Sequence, residues 1–410
     1  SGTYAPSDQT TSQFKSRELA PWLSECPSQI LRNSAVNWYQ TYQKFMSGKC
    51  GRPKRKPKTD KGSIYLTREV FRFDHCDDGN VRLFIGTKTN NIGYLSFKAH
   101  GKFEIPNSLY VRKERGHYYV SFCYEQGQPD RKLSTNEEHL AFLQGATREY
   151  LEEHTMGVDR GVAIPVCAGE QTYDFTHSQK KNMSKADRYI KRLQRKLARQ
   201  QKGSNRRAKT KHRIAVHHAK KANIRNDFAH KTSRLLVDSS AKIIVFEALR
   251  TARMTRRPKA KQDEQGRFIS NKAKQKAGLN KSILNVGWHV IETYTYYKAY
   301  SSSKAVFKIP APTTSQECAK CGHTHPDNRK TQALFVCGNC GNTDNADHNA
   351  SLVIKKRAIN LILDTGTVLS GDGVLRTQSD SGRGGNRKTG RAKSSTSSAQ
   401  RSVKKEKLAA

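Results

Sequence analysis

The stretch Cys318–Ala350 reads CAKCGHTHPDNRKTQALFVCGNCGNTDNADHNA and contains two CxxC pairs, Cys318 with Cys321 and Cys337 with Cys340. This is the spacing of a zinc ribbon, in which each CxxC turn presents two thiolates to one tetrahedral metal ion. Because four thiolates leave zinc no open coordination position, the sequence predicts a structural zinc ion rather than a catalytic one. A chance pairing and a redox CxxC motif are the alternatives, and two pairs in this register disfavour both.

The chain as a whole is strongly basic. Its 410 residues include 75 Lys and Arg against 35 Asp and Glu, which gives a net charge of +40 at pH 7. Such a charge suits a polyanion, so nucleic acid is the leading predicted partner. A membrane surface is the alternative, but the sequence has no apolar run of about 18 residues and no signal-peptide pattern at its start. We therefore predict a protein of the cytoplasm with no membrane partner.

The N-terminal part divides into two predicted domains. Residues 14–61 combine an amphipathic helical segment with the basic loop KCGRPKRKPKTDK, which starts at Lys49 and holds seven basic residues and one acid. Lys54, Arg55 and Lys56 of this loop are predicted nucleic-acid contacts, and a solvated linker is the alternative. Residues 62–130 alternate apolar and polar side chains, which predicts several short strands in a β-barrel-like domain.

The second half predicts an α/β domain with a basic helical insertion. Apolar strands are expected around residues 156–168 and 241–249, and one helix is expected over residues 282–300. Between Lys180 and Arg234 the chain has 20 Lys or Arg and two acids, with an apolar stripe at helical spacing, so we predict a basic helical hairpin over residues 180–236. A merely solvated helix pair is the alternative. Its predicted nucleic-acid contacts are Lys191, Arg192, Arg195, Lys196, Arg206 and Arg207.

Three acids stand where a metal-dependent nuclease would need them. Asp159 lies in the apolar strand GVDRG, Glu247 ends the apolar strand IIVFE, and Asp347 begins the helix after the cysteine pairs. A buried carboxylate without a cation or donors costs several kcal/mol, so two acids in apolar strands suggest a shared ligand. The alternatives are a turn Asp, a strand-end Glu and a helix-capping Asp. Residues 364–410, rich in Gly, Ser, Arg and Lys, predict a disordered basic tail.

The motifs GVDRG, VFEAL, TSQECAKCG, FVCGNCG and NADHNA, in this order, resemble TnpB, the RNA-guided endonuclease of bacterial insertion sequences. The resemblance covers roughly residues 22–363. It implies a β-barrel-like wedge domain, an RNase H-like RuvC nuclease domain at residues 150–316 and 342–363, and a zinc ribbon inserted at residues 317–341. The first strand and helices of the family are not recognisable, so we expect a truncated chain or a reduced first domain.

The resemblance also implies a mechanism and partners. Asp159, Glu247 and Asp347 would be the catalytic acids and would hold two Mg²⁺ ions about 3.5–4 Å apart, with Asp159 bridging both. Arg329 would add positive charge near the scissile phosphate. Guide RNA and target DNA would be the partners, in the cytoplasm of a bacterial or archaeal cell and near its nucleoid.

Three alternative functions stay open at this point. A compact type V CRISPR effector would share the cysteines and the acids. A nucleic-acid-binding zinc protein without catalysis would gain nothing from acids placed in apolar strands. A DNA-transposing enzyme would use similar acids but would join DNA ends.

Overall fold

The structure is a computed structural model that describes residues 21–54, 62–75, 80–88, 90–99, 103–114, 117–123 and 133–377. Two predicted nucleic-acid contacts, Arg55 and Lys56, lie outside the described residues, as does residues 378–410 of the predicted tail. The described residues form two compact units of a mixed α/β protein. One unit contains those between 21 and 123 together with 181–222, and the other contains 133–180 and 223–377.

The first unit contains one helix and two small antiparallel sheets. The sheets have the orders β1-β5-β6 and β2-β3-β4, and residues of both sheets share one apolar core with Ile30 of helix α1. Because the described strands pair in two separate three-stranded sheets with no hydrogen-bonded ladder between them, they form no closed barrel, and the barrel expectation is wrong here. The elements are α1 (Ser28–Met46), β1 (Gly62–Thr67), β2 (Phe71–His75), β3 (Asn80–Gly86), β4 (Asn91–Lys98), β5 (Ser108–Glu114) and β6 (His117–Phe122).

A five-stranded mixed sheet forms the centre of the second unit. Its order is β13-β10-β7-β8-β9, with β13, β10 and β7 parallel and with β8 and β9 antiparallel to their neighbours. Strand β10 reads IIVFE and is buried at every position, as expected for a central parallel strand. The strands are β7 (Thr155–Asp159), β8 (Val166–Ala168), β9 (Gln171–Tyr173), β10 (Ile243–Glu247) and β13 (Ala305–Ile309).

Helices surround this sheet. Helix α9 (Ala346–Leu363) contributes Ile354, Ala358 and Ile362 to the core that also holds Val245 of β10 and Phe307 of β13. The other helices are α2 (Asn136–Leu143), α3 (Arg148–His154), α6 (Thr251–Met254), α7 (Ala273–Val286) and α8 (Trp288–Ser301). Three further strand pairs are β11 (Lys261–Gln262) with β12 (Phe268–Ile269), β14 (Leu334–Val336) with β15 (Thr343–Asn345), and β16 (Thr367–Leu369) with β17 (Leu375–Thr377).

A glycine lets helix α9 approach strand β7. A Cβ atom added to Gly157 would lie 2.1 Å from the backbone oxygen of Ser351 and 2.7 Å from the backbone nitrogen of Lys355. Any side chain at this position would therefore push the helix away from the strand. The close approach matters because Asp159 ends this strand and Asp347 lies in the first turn of this helix.

The basic insertion contains two long helices. These are α4 (His177–Ala198) and α5 (Asn205–Asp238). Lys221 of α5 makes a 2.7 Å ion pair with Asp187 of α4, although the Lys221 side chain is almost fully buried. The turn between the helices is held by Arg207, whose guanidinium donates hydrogen bonds to the backbone oxygens of Leu197 and Gln200.

Two sequence expectations are corrected in the second unit. The single helix expected over residues 282–300 is broken at Gly287, which has φ of +79°, ends α7 and directly precedes α8. The left-handed conformation at this position suits glycine and stops a continuous helix. The disordered tail expected from residue 364 begins too early, because β16 and β17 pair and Leu375 is fully buried. The Gly- and Ser-rich composition concealed a short hairpin that completes the core.

Candidate active site and metal centre

The two strand acids lie side by side. Val158 of β7 pairs with Phe246 of β10 in the parallel register, so Asp159 and Glu247 occupy the next position on neighbouring strands. Both acids therefore end their strands at the same edge of the sheet. Asp159 is half-buried, and Glu247 is only 6% exposed.

The third acid reaches the same place from the helix. Asp347 lies in the first turn of α9 and is only 4% exposed. Its backbone N–H donates to the side chain of Asn345, which caps the helix, at 2.9 Å. Glu247 and Asp347 both act electrostatically on Asp159. The structure thus brings together all three acids that the sequence singled out, although almost two hundred residues separate the first from the last.

The surroundings of the acids raise their pKa values. Desolvation, followed by the charges of Glu247 and Asp347, raises the pKa of Asp159 to about 7. Desolvation also raises the pKa of Glu247 and of Asp347 above the ordinary carboxyl values. Burial raises the pKa of the neighbouring Cys167 thiol to about 12, with Asp159 as the next cause, so this thiol stays neutral. A group of anions that repel one another in a desolvated place is the environment that a bound cation stabilises.

Neighbouring side chains hold the acids in place. The Thr314 hydroxyl donates a hydrogen bond to Glu247 Oε1, and this bond opposes the rise in the Glu247 pKa. Arg329 donates from Nη2 to Asp347 Oδ1 at 3.2 Å. The structure therefore places Arg329 at the site, where it is the counter-ion of Asp347.

A buried arginine contacts the end of strand β10. Arg160 is 5% exposed, donates to the backbone oxygen of Glu247 and makes a 2.7 Å ion pair with Glu292. Its guanidinium also lies over the Phe246 ring, 5.0 Å from the centroid. Sequence reasoning missed Arg160, Glu292 and Thr314. Arg160 directly follows Asp159, and Thr314 lies close to the first CxxC pair, so their positions in the sequence were the available signal. No sequence feature marked Glu292.

The four cysteines form the second feature of the site. Their sulfur atoms all lie within 4.8 Å of one another, with 3.7 Å between Cys318 and Cys340 and 3.6 Å between Cys321 and Cys337. Zn–S bonds of about 2.3 Å at tetrahedral angles place sulfurs roughly 3.8 Å apart, so the cluster could hold a zinc ion. Among the described residues this is the one such group of His, Cys, Asp and Glu with ligand atoms that close together.

The cysteine region is joined directly to helix α9. Asn349, which is fully buried, accepts a hydrogen bond from the Ala319 backbone at 3.0 Å and donates to the Glu317 backbone oxygen at 2.8 Å. Arg357 of the same helix makes an ion pair with the Glu317 side chain. These bonds fix the helix that carries Asp347 to the chain just before and within the first cysteine pair.

The predicted basic contacts lie in different settings. Lys54 is exposed in the loop after α1. On the hairpin, Arg192 and Lys196 line a groove, whereas Arg207 is occupied in closing the turn. The remaining predicted contacts, Lys191, Arg195 and Arg206, are exposed to solvent.

Two protein-family models match parts of this chain. Residues 121–257, which include Asp159 and Glu247, match the family model OrfB_IS605, described as "Probable transposase". Residues 288–354, which include the four cysteines and Asp347, match the family model described as "Cas12f1-like, TNB domain". In these two segments the chain is thus similar to the OrfB_IS605 family and to Cas12f1-like proteins. The resemblance drawn from the sequence motifs is thereby confirmed.

Three curated proteins similar to this chain come from bacteria. "Putative RNA-guided DNA endonuclease InsQ" of Escherichia coli K12 is 28% identical over 83% of this chain and 76% of its own length. "Putative RNA-guided DNA endonuclease" of Streptomyces pristinaespiralis is 23% identical over 93% of this chain and 83% of its own. The CRISPR-associated endodeoxyribonuclease Cas12f1 of Sulfoacidibacillus thermotolerans is 27% identical, and the match spans about half of its length.

The chain also aligns with a solved structure. The chain aligns with a cryo-EM structure of the Cas12f1-sgRNA-target DNA complex with a TM-score of 0.47 and 13% identity, over 85% of this chain and 76% of that chain. No helix among the described residues is both long and apolar enough to span a bilayer.

Proposed function

We propose that this protein is an RNA-guided DNA endonuclease of the TnpB type that hydrolyses target DNA at Asp159, Glu247 and Asp347. The observation that carries the proposal is the convergence of three desolvated carboxylates on one edge of the sheet, with the pKa of Asp159 raised to about 7 by burial and by the other two acids. A protein that only binds nucleic acid has no use for such an arrangement. The names of the relatives from Escherichia coli and Streptomyces support the same activity.

The proposed domain organisation follows from this activity. Residues 150–316 and 342–363 would form an RNase H-like RuvC domain, interrupted by a zinc ribbon at residues 317–341 that carries Cys318, Cys321, Cys337 and Cys340. The mixed sheet with its acids at one edge supports this assignment. Residues 62–130 would form the wedge domain, in two open sheets rather than a barrel. Residues 14–61 would form the helical recognition segment.

The donor set of the acids fits magnesium. Mg²⁺ prefers oxygen ligands and is usually held by one or two carboxylates together with phosphate oxygens, which is what this edge and a DNA strand would offer together. Bound Mg²⁺ would supply Lewis-acid stabilisation of the attacked phosphate and of the leaving 3′ oxygen. Asp159, Glu247 and Asp347 would together hold the Mg²⁺, and Asp159 is the acid on which the charges of both others act. Thr314 would orient Glu247 by its hydrogen bond.

Arg329 would act in two states. It is the partner of Asp347 at 3.2 Å, and it also donates to the backbone oxygen of Gln332 at 3.0 Å. Arg329 would neutralise Asp347 in the free protein and would pair with a phosphate of the substrate when Asp347 holds a metal ion. Its position in the loop between the cysteine pairs supports this role.

Guide RNA and target DNA would bind the basic surfaces. In RNA-guided nucleases the base pairing reads the sequence, and the protein needs a broad cationic surface that follows the phosphates. The net charge of +40 and the basic hairpin provide one. Such an enzyme would work in the bacterial cytoplasm, near the nucleoid.

The test is guided cleavage of a plasmid by the full chain purified with its RNA. Asp159→Asn should abolish cleavage in Mg²⁺ and leave RNA affinity unchanged. Glu153→Gln, an exposed acid on α3, is the matched control and should cleave normally. Cleavage by Asp159→Asn at the wild-type rate, or a parallel loss of RNA binding, would contradict the assignment. Sequencing of the RNA that co-purifies would then separate a TnpB protein from a compact CRISPR effector, whose relative matches this chain over a smaller share.

A further inference from the structure

A groove of about 750 Å³ runs between the two helices of the basic hairpin. On α4 its lining residues recur at intervals of three and four, which places them on one helix face. Two residues four positions apart on α5 complete it from the other side. The first side carries Tyr189, Arg192, Lys196 and Arg199, and the second carries Arg213 and His217.

An aromatic pair forms one wall of the groove. The rings of Tyr189 and His217 are parallel to within 2°, with centroids 5.1 Å apart. Tyr189 nevertheless remains 41% exposed. Stacking on the histidine fixes the orientation of the tyrosine ring, so a flat ligand would meet a preformed platform rather than a mobile side chain.

The charge of the groove has one sign. Arg192, Lys196, Arg199 and Arg213 are exposed cations, and no acid is among the described residues that line the groove. A groove that bound a protein segment by mixed contacts would need both signs. Cations next to an aromatic platform are the combination that holds a nucleotide, because phosphates pair with the cations while the base stacks on the ring.

A buried acceptor adds an independent sign of a ligand. Gln200 lines the same groove, and its Oε1 atom is buried with no hydrogen-bond partner in the part of the chain that the structure describes. An acceptor left in this state costs about 1–3 kcal/mol, so we expect the Gln200 side chain to turn toward a donor when a ligand fills the groove. An exocyclic amine of a base or a ribose hydroxyl would serve.

We infer that this groove binds an unpaired nucleotide, with its base on Tyr189 and its flanking phosphates on Arg192, Lys196, Arg199 and Arg213. The inference rests on the proposed function and deepens it, since it assigns one element of the bound nucleic acid to a single-stranded position. A base within a duplex is already stacked on both faces and presents none to the ring. Gln200 then accepts a hydrogen bond from the base or from the sugar.

The experiment uses the full chain and a six-nucleotide RNA with 2-aminopurine at its centre, whose fluorescence falls when the base stacks. Binding should quench the fluorescence of the wild-type complex. Tyr189→Leu should abolish the quenching and weaken the affinity roughly 5- to 150-fold, as expected for the loss of one base stack. Tyr189→Phe should retain both. Quenching that persists in Tyr189→Leu at wild-type affinity would overturn the inference.

A matched pair of double variants separates the groove from general charge. Arg192→Gln with Lys196→Gln removes two groove cations, and Lys191→Gln with Arg195→Gln removes two from another face of the same helix. Both pairs should lower the log–log salt slope by about 1.4, because each pair removes two phosphate contacts. Only the groove pair should also reduce the quenching at saturating RNA. Equal quenching in both pairs would contradict a groove-bound base. Circular dichroism checks that the helices of all variants are intact.

The last comparison uses duplex and DNA versions of the same probe. The same sequence as a duplex should show no quenching, and duplex quenching equal to that of the single strand would overturn the requirement for an unpaired base. A DNA version that quenches equally assigns the Gln200 donor to the base. An RNA preference that disappears in Gln200→Leu assigns it to the ribose hydroxyl. A chain that quenches normally yet never cleaves guided DNA would contradict the endonuclease and leave the groove in place.

Discussion

The acidic edge of the five-stranded sheet and the basic hairpin both gather like charges, in opposite environments. At the acidic edge Glu247 and Asp347 are nearly buried, and the pKa of Asp159 is raised to about 7. On the hairpin 20 Lys or Arg lie between Lys180 and Arg234, and most of them are exposed. Water screens the exposed cations from one another, whereas the buried acids interact strongly. The acids should therefore behave as one unit and the cations as a sum of independent contacts.

The largest expected effect is on cleavage when an acid is removed. Asp159→Asn, Glu247→Gln and Asp347→Asn should each lower the guided cleavage rate by a factor on the order of 10³ or more, because the three carboxylates would hold the same cations. The double variant of Asp159 and Glu247 should be scarcely slower than either single variant. Single-turnover cleavage in Mg²⁺ measures this. Losses that multiply in the double variant would show that the acids act separately.

A second large effect concerns the cysteine cluster. Cys337→Ser removes one of four thiolates and should lower the zinc content and the thermal stability together. The free energy of unfolding should fall by about 4 kcal/mol or more. Cleavage should fall too, because Asn349 ties helix α9 to the chain at Ala319 and Glu317. Elemental analysis, calorimetry and cleavage give the three readouts. Cys123→Ser, an exposed cysteine outside the cluster, is the control and should change none of them. A fully stable Cys337→Ser protein without zinc would rule out a structural ion.

The repulsion at the acidic edge should be visible as a pH-dependent stability. The pKa of Asp159 is about 7 in the folded protein against an ordinary 3.8. At pH values between these two, the folded protein holds a proton that the unfolded chain has released. Stability should then fall as pH rises from about 4 to 7. Asp159→Asn cannot lose stability in this way. In EDTA its free energy of unfolding should therefore equal that of the wild type below pH 4 and exceed it by at most about 4 kcal/mol above pH 7.

The matching measurement is the melting temperature of both proteins across this pH range. Mg²⁺ should reduce the advantage of Asp159→Asn, because the cation stabilises the wild-type carboxylate. An advantage that does not change with pH would place its cause elsewhere.

The smallest effects are expected on the hairpin. Lys191→Gln, Arg195→Gln and Arg206→Gln should each lower the log–log salt slope of RNA binding by about 0.7, and the three together by about 2, since exposed phosphate contacts add. Arg207→Gln is the contrasting variant, because its guanidinium holds the backbone at the end of α4. It should lower helix stability more than it changes the slope. Filter binding from 50 to 300 mM salt, with thermal melts, separates the two outcomes. A non-additive slope would contradict independent contacts.

Neutralising the basic loop tests the same rule away from the hairpin. Replacing Lys54, Arg55 and Lys56 with Gln should weaken RNA binding and lower the slope by about 2. An unchanged slope would identify the loop as a linker.

Much of the site was predictable because its signals are local. The cysteine spacing, the acids in GVDRG and IIVFE, and Asp347 after the second cysteine pair each stand out within a few residues. The partners of those acids were not predictable in this way. Arg160 is 132 residues from Glu292, and Thr314 is 67 residues from Glu247. No local pattern encodes pairs at such separations.

The errors in the predicted fold also come from contacts between distant residues. Gly287 breaks a sequence that otherwise suits one helix, and Leu375 is buried although its neighbours suggest disorder. The open sheets of the first unit also depend on a shared core that alternation within single strands does not reveal.

By itself the sequence determined the basic character of the chain, the four-cysteine spacing and the identity of the three acids, because charge, ligand chemistry and short-range spacing are properties of the residues. Only the tertiary structure decided which strands are neighbours, how closely α9 approaches β7 at Gly157, and that Arg207 closes a turn while Tyr189 and His217 face a groove. These outcomes depend on packing between distant segments. Burial then sets the pKa of Asp159, since desolvation exists only once the chain has folded around the carboxyl.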